Sequence, residues 1–185
     1  EFNKKTYQKA HELSEIRKSI SLSIEKELIN NLQDLGLRVD FKIAFSTPIL
    51  EDELDLSIYK DSGIDEVEFL IETNIGEGLK PLSKIVSGGE MSRIMFALKA
   101  LFIKSQKIST VIFDEIDTGI SGEIARKVAL KIYDISLTSQ VIAITHLPQV
   151  ASLSTNHIKI YKHVVKGRTY TEIKELSLSG RISFK

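Results

Sequence analysis

Four consecutive residues of types that bind anions stand ahead of a helical pattern: Ser87, Gly88, Gly89 and Glu90. Ser87 and Glu90 have the spacing of a capping box, which satisfies the first amides of a helix, so we predict that a helix begins here. The two glycines place no side chain over their backbone N–H groups, and uncovered amides at a helix start attract anions. The cluster is typical of a phosphate-binding helix start, although a capped helix with nothing bound would have the same sequence.

Two further clusters each follow a short apolar segment. The segment from Thr110 to Phe113 is followed by Asp114 and Glu115, and the segment from Ile142 to Thr145 is followed by His146. The carboxyl edge of a parallel sheet is where ligands bind in open α/β folds. There an Asp can hold Mg²⁺, a neighbouring Glu can deprotonate a water, and a His can donate to a phosphate oxygen. Taken singly, acidic helix caps and a structural His explain these residues equally well.

The order and spacing of the three clusters are more specific than any one of them. The acidic pair follows the helix start by about 27 residues, and the histidine follows the pair by about 31. Chance rarely produces an anion-binding helix start, an acidic strand end and a His strand end in this order. Together they indicate a site for a phosphorylated ligand and a divalent cation.

The elements that must position these clusters can be read from hydrophobic periodicity. Residues 87–145 alternate helix patterns (88–104 and 122–135) with short apolar strands (110–113 and 141–145), which predicts a parallel sheet covered on both faces. Antiparallel patterns lie on either side of this region, with alternating apolar residues from Val39 to Phe45 and from Val67 to Ile71, and a hairpin around Lys166-Gly167. The fold class is therefore α/β: a short parallel sheet flanked by helices, plus antiparallel strands.

A long helix precedes these elements. Apolar residues recur at spacings of three and four from residue 4 to residue 35, and Gly36 then ends the pattern. At 1.5 Å per residue the helix is roughly 45 Å long, more than a small domain covers. It is therefore either an amphipathic surface helix or the stub of a coiled coil. We predict a coiled-coil stub over residues 1–36 and a head segment over residues 37–185.

Composition excludes several classes of protein. The chain has 185 residues, 25 basic and 25 acidic residues, 42% hydrophobic residues and no cysteine. This balance excludes bulk disorder, a disulfide framework and a zinc site with thiolate ligands. No apolar run is long enough to cross a bilayer, and no secretory signal is visible. We expect no membrane partner and a cytoplasmic, nucleoid-associated location.

The motifs resemble those of ATP-binding-cassette ATPases, and the longer stretches are similar to the RecN family of bacterial double-strand-break repair ATPases, relatives of the SMC proteins. The residues from Ser87 to Glu90 resemble the signature motif, and those from Ile112 to Glu115 resemble the Walker B strand. Asp117 resembles the D-loop and His146 the switch histidine. The family similarity rests on three stretches: residues 80–93, 113–122 and 145–151.

This resemblance implies the role of each site residue. Two heads would enclose ATP, with Ser87, Gly88, Gly89 and Glu90 meeting the γ-phosphate from the opposite head. Asp114 would hold Mg²⁺, Glu115 would act as general base, Asp117 would couple the two sites and His146 would sense the γ-phosphate. The implied partners are the missing N-terminal half of the same head, a second head and DNA.

Three departures from the family pattern limit what the chain can do alone. The turn usually written Asn-Pro-Gly is Asn74-Ile75-Gly76 here, which predicts a local loss of stiffness, and the last residues, from Arg181 to Lys185, stop where the family continues into a helix. No stretch matches the phosphate-cradling Gly-x-x-x-x-Gly-Lys-Ser/Thr loop. We therefore expect the C-terminal half of an ATPase head, active in the full-length protein and inactive as a fragment.

Two alternatives stay open from the sequence. The chain could be the head half of another SMC-like ATPase, or a non-catalytic interaction module that binds a partner through its helix and a sheet edge. Lys80, Lys84 and Arg93 surround the signature. A solvated rim explains them as well as a DNA-binding surface does.

Overall fold

The computed structural model describes residues 2–48, 59–74, 76–85, 88–114, 116, 120 and 122–176. Ser87, Glu115 and Asp117 lie outside these residues, as do Ile75 and the last residues 177–185. The chain divides into two compact units, Glu1–Leu101 and Phe102–Lys185. The predicted boundary at residue 36 between a coiled-coil stub and a head segment stays a prediction.

The first unit begins with a helix, α1, that spans Phe2–Asp34 and agrees with its predicted bounds to within two residues. It ends at Gly36, which adopts a φ of 76°, so the left-handed residue expected after the helix is confirmed. Only the C-terminal half of the apolar pattern is buried, with Leu28, Leu32 and Leu35 fully inaccessible to solvent.

The N-terminal half of α1 turns a different face inward. The side chains of Leu13, Ile16 and Ile20 are 37–51% exposed, whereas Ser14 and Ser21 are buried. The predicted apolar stripe is therefore continuous along the helix, but Leu13, Ile16 and Ile20 are left exposed and Tyr7 and Ala10 are only half-buried. A stripe of this kind suits packing against a second helix, which keeps the coiled-coil interpretation of α1 as a prediction.

The antiparallel ribbon predicted after α1 is confirmed. Strands β1 (Asp40–Ser46) and β2 (Glu66–Glu72) pair antiparallel with Ile43 opposite Phe69, and the short β3 (Lys80–Pro81) adds to the other edge of β2. Phe41 and Ile43 are buried, as the alternation requires. The Ile43 amide also donates to Glu25 Oε1 of α1 at 2.7 Å, which fixes the helix to the sheet. Helix α2 then spans Gly88–Gln106.

The second unit contains the predicted alternation of strands and helices. Strands β4 (Thr110–Asp114) and β5 (Gln140–Ile144) pair in parallel, and the connecting helix α3 (Gly122–Ser136) packs on β5 and on the short α4 (Pro148–Ala151). Val128, Ile132 and Ile135 lie on the apolar face of α3, and all three are buried. The parallel pairing brings the C-terminal ends of β4 and β5 to one edge of the sheet.

The prediction that this sheet is covered on both faces is wrong for the part of the chain that the structure describes. Val111 and Phe113 are buried, but Ile112, Ile142 and Ile144, which point to the opposite face, are 59%, 47% and 50% exposed. Parallel sheets normally bury both faces. The exposed face is hereafter called the open sheet face and consists of Ile112, Ile142 and Ile144.

The unit ends with the predicted hairpin. Strands β6 (Ile158–Val165) and β7 (Arg168–Glu175) pair antiparallel along their whole length. Lys166 and Gly167 both have positive φ, 51° and 74°, which is the backbone of a two-residue type I′ turn. None of the described helices is long and apolar enough to cross a bilayer.

Candidate functional site

The helix start predicted at the glycine pair is present. Helix α2 begins at Gly88, which is exposed, and a Cβ added there would meet no atom within 4 Å. Apart from its chain neighbours and its own helix, no atom therefore occupies the place that a side chain of residue 88 would take. Glu90 supplies a negative charge in the first turn, where it interacts favourably with the positive end of the helix dipole. The capping box itself involves Ser87, which lies outside the described residues.

The turn that departs from the family pattern is held by a carboxylate. Glu72 Oε1 accepts hydrogen bonds from the Gly76 amide at 2.6 Å and from the Gly78 amide at 3.2 Å. Asn74 Nδ2 also donates to Glu77 Oε1 at 3.1 Å. These bonds restrain Gly76 and Gly78, which follow the position that lacks the proline. That position, Ile75, lies outside the described residues, so the predicted loss of stiffness stays a prediction.

Charged side chains line a cleft next to the start of α2. Lys80, Lys84 and Glu90 contribute to its wall together with Asn74 and Glu77. Lys80 Nζ lies 2.7 Å from Glu77 Oε2, and its hydrogen bond and positive charge lower the pKa of the Glu77 carboxyl. Lys80 is therefore partly neutralised within the cleft.

The structure brings Asp114 and His146 to one edge of the parallel sheet. Asp114 ends β4 and lies opposite Ile144, the last residue of β5, and His146 follows two residues later. Neighbouring strands are about 4.8 Å apart, so Asp114 lies next to Ile144, and His146 follows beyond the same edge of the sheet. Both are exposed. Thr145 Oγ1 accepts a hydrogen bond from the Leu147 amide at 3.0 Å, which shapes the turn that carries His146.

The other predicted site residues of this unit, Glu115 and Asp117, lie outside the described residues. Among the residues that are described, no three histidine or acidic side chains cluster closely enough to hold a metal ion. Asp114 is an exposed carboxylate next to a strand end, and oxygen ligands of this kind fit Mg²⁺, which keeps several waters. The roles of Ser87, Gly88, Gly89, Glu90, Asp114, Glu115, Asp117 and His146 stay predictions.

The sequence left two interpretations of Arg93 open, a solvated rim and a DNA-binding surface, and the structure shows contacts that neither of them included. Arg93 is half-buried and is not part of a solvated rim: its Nη1 donates to the Leu35 carbonyl at 3.3 Å and its Nε to the Gly89 carbonyl at 3.2 Å. Its position four residues after Gly89 allowed the second bond to be anticipated. The first joins residues 58 positions apart, and no local pattern signals it.

The sequence reasoning also missed a buried carboxylate in the first unit. Asp65, with a side chain only 1% exposed, accepts hydrogen bonds from Ser14 Oγ at 2.7 Å and Thr47 Oγ1 at 3.0 Å and lies 3.6 Å from Arg17 Nη1. The only signal in the sequence is a serine within the helical pattern. This group fixes α1 to the end of β1.

No protein-family model matches the chain. The chain is 43% identical over 164 residues to the DNA repair protein RecN of Halalkalibacterium halodurans, which covers 89% of this chain and 28% of the relative. It is 40% identical over 185 residues to RecN of Bacillus subtilis, and this match covers 94% of this chain and 32% of the relative. The chain therefore spans about a third of the length of these relatives.

The fold has close neighbours among solved structures. The Smc head domain with a coiled coil and joint from Pyrococcus yayanosii matches with a TM-score of 0.64 at 21% identity, over 91% of this chain and 29% of that one. The predicted α/β fold of an SMC-type head lobe is confirmed by this match. The predicted resemblance to the RecN family is confirmed by the curated relatives.

Proposed function

We propose that this RecN-like chain is the C-terminal part of the ATPase head of a DNA repair protein, and that it supplies half of an ATP site. The observation that carries the proposal is the parallel register in which Asp114, at the end of β4, lies opposite Ile144, two residues before His146. The first turn of α2 supports it, because a Cβ on Gly88 would meet no atom within 4 Å apart from its chain neighbours and its own helix, and helix starts attract anions.

The residues divide the work of a phosphoryl-transfer site. ATP with Mg²⁺ supplies the γ-phosphoryl group, and Asp114 would hold the cation, through water if the metal keeps its hydration shell. Glu115 would take the proton of the attacking water, and His146 would donate to a γ-phosphate oxygen. Positioning and charge neutralisation account for most of the catalysis of this reaction.

The signature residues act from a second head. Ser87, Gly88, Gly89 and Glu90 would meet the γ-phosphate held by the partner head, and Asp117 would link the two sites across the dimer. The proposal therefore requires a homodimer of heads, in which each head completes the site of the other. DNA is the expected partner of the whole protein, which we place in the cytoplasm at the nucleoid.

The open sheet face supports the proposal that another part of the same head packs against it. Two parallel strands with one bare apolar face do not make an independently stable sheet. Ile112, Ile142 and Ile144 are 47–59% exposed, which leaves an apolar surface beside the strand ends of the site. The N-terminal half of the head, which would bring the phosphate-cradling loop, is the proposed cover.

ATP hydrolysis by the whole protein tests the proposal. Glu115→Gln should lower the rate by about 100-fold or more, because it removes the general base. Gly88→Ala should also abolish hydrolysis while leaving the melting temperature unchanged, since the added Cβ fills only the open space where the phosphate would lie. The chain alone should hydrolyse no ATP. Full activity of both variants, or turnover by the chain alone that Glu115→Gln abolishes, would refute the assignment.

The alternative function, a non-catalytic interaction module, has one observation in its favour. One face of the hairpin presents exposed apolar side chains, with Ile158, Ile160, Val164 and Ile173 61–72% accessible. Such a face can bind another protein. Absence of ATP binding by the whole protein, together with stable capture of a partner by this face, would favour the module.

A further inference from the structure

Two backbone hydrogen bonds close the end of α1. The Leu37 amide donates to the Leu32 carbonyl at 2.9 Å and the Gly36 amide to the Gln33 carbonyl at 3.0 Å, which is the Schellman arrangement. The Leu35 carbonyl lies beyond these two bonds. It accepts its hydrogen bond from Arg93 Nη1 at 3.3 Å.

The same guanidinium holds the first turn of α2. Arg93 Nε donates to the Gly89 carbonyl at 3.2 Å, and Gly89 belongs to the glycine pair of the predicted phosphate contact. The guanidinium is planar and its donors point in fixed directions, so the two bonds tie the positions of the two carbonyls to each other. A positive charge at the C-terminal end of α1 is also favourable to the dipole of that helix.

Buried residues pack close to both attachment points. Leu32 and Leu35 at the end of α1 are fully buried, and so are Ile94 and Ala97, which follow Arg93 by one and four residues along α2. A close-packed interior transmits a displacement because it has little free volume to absorb one. A shift of the Gly89 carbonyl relative to the Leu35 carbonyl therefore breaks one of the Arg93 bonds unless the end of α1 moves with it.

We propose that Arg93 is a positioning residue that links the glycine turn of α2 to the end of α1, so that a phosphate held at the turn and the placement of the long helix influence each other. The inference rests on the proposed function, because it needs ATP to bring the glycine turn into contact with a second head. Linkage of this kind is reciprocal: a change at α1 alters the strength of the ATP-dependent contact by the same factor as the reverse.

The test is a double-mutant cycle in the whole protein, carrying Glu115→Gln so that ATP is not consumed. Self-association of the heads with ATP and Mg²⁺ is measured by sedimentation as a dissociation constant. One change is Arg93→Lys, which keeps the charge and loses the two-carbonyl geometry. The other is Gly36→Ala, which strains the end of α1 because residue 36 has a φ of 76°.

Arg93→Lys should weaken the ATP-dependent association by roughly 10-fold, within the range of coupling between sites. Gly36→Ala should weaken the ATP-dependent association in the parent. In the Arg93→Lys background it should cause no further weakening, because the link from α2 to the end of α1 is already broken there. Lys99→Gln, a charge removal at an exposed position of the same helix, is the matched control and should stay within about twofold. Circular dichroism and melting temperature show that each variant is folded.

The possible failures point to different conclusions. If the parent associates with ATP and Arg93→Lys behaves like Lys99→Gln, or if the Arg93 and Gly36 effects multiply, the linkage through Arg93 is refuted and the proposed function stands. If the folded parent shows no ATP-dependent association at all, the proposed function is refuted and the linkage with it.

Discussion

Asp65 shows how a single buried carboxylate can hold two elements together. Burial by itself would raise the pKa of this carboxyl above its ordinary value of 3.8. The hydrogen bonds from Ser14 and Thr47 and the positive charges of Arg17 and Lys18 outweigh that effect and lower the pKa. Since the bonds come from α1 and from the end of β1, the ionised form of Asp65 stabilises the contact between helix and sheet.

The lowered pKa predicts a pH-dependent stability. A carboxyl with a depressed native pKa contributes stability that is fully present above about pH 4 and is lost as the pH falls through the native pKa. Asp65→Asn should therefore cost about 1–3 kcal/mol at pH 7, the usual loss for a hydrogen bond to a charged group. The free energy of unfolding in urea, measured from pH 7 down to pH 2.5, should show this deficit shrinking with acid.

Glu66→Gln is the control for that series, because Glu66 is the next residue and its side chain is 74% exposed. It should change the free energy of unfolding by no more than about 0.5 kcal/mol. A deficit of Asp65→Asn that stays constant across the pH range would show that Asp65 acts through packing and not through its charge.

At the scale of elements, the open sheet face determines how the chain behaves by itself. Ile112, Ile142 and Ile144 form an apolar surface on β4 and β5, and exposed strands with unpaired edges recruit other chains. The chain alone should therefore self-associate. Ile112→Thr with Ile142→Thr keeps residues that suit strands and should reduce the association in light scattering at rising concentration.

Leu137→Thr is the matched control for that pair, because Leu137 is 66% exposed and lies in the connection between α3 and β5, outside both strands. It should leave the association unchanged. A chain that is monomeric at high concentration, or a double variant that associates as strongly as the parent, would contradict the role given to this face.

The elements that could be predicted from the sequence are those with local signals. Gly36 predicts the end of α1, and the alternation at Phe41 and Ile43 predicts β1. Short apolar runs before polar residues predict β4 and β5. Each depends on neighbouring residues and on backbone preferences that act within a few positions.

What could not be predicted depends on contacts between distant residues. The hydrogen bond from Ser14 to Asp65 joins residues 51 positions apart, and the bond from Arg93 to the Leu35 carbonyl joins residues 58 positions apart. The prediction that both sheet faces are covered is wrong for a related reason. Apolar runs show that a strand can be buried, but they do not show which part of a protein buries it. The roles of the site residues likewise depend on a ligand and a second head, which are not encoded in the local pattern.

At the scale of the whole molecule, the chain accounts for about a third of the length of its RecN relatives. The proposed function gives this part a defined share of the site: a cation-binding carboxylate and a histidine at one sheet edge, and a glycine turn for the phosphate of a partner head. Its central claim is that these parts become an ATP site only when the remaining half of the head covers the open sheet face.

The most direct measurement is binding of a fluorescent, non-hydrolysable ATP analogue with Mg²⁺ to this chain mixed with the separately purified N-terminal half of its head. The account predicts that the two parts form a complex and that the complex binds the analogue more tightly than either part alone. Ile112→Asp in this chain should abolish the complex, because it places a charge in the apolar contact. A stable complex with no gain in nucleotide binding, or a folded pair that forms no complex, would contradict the central claim.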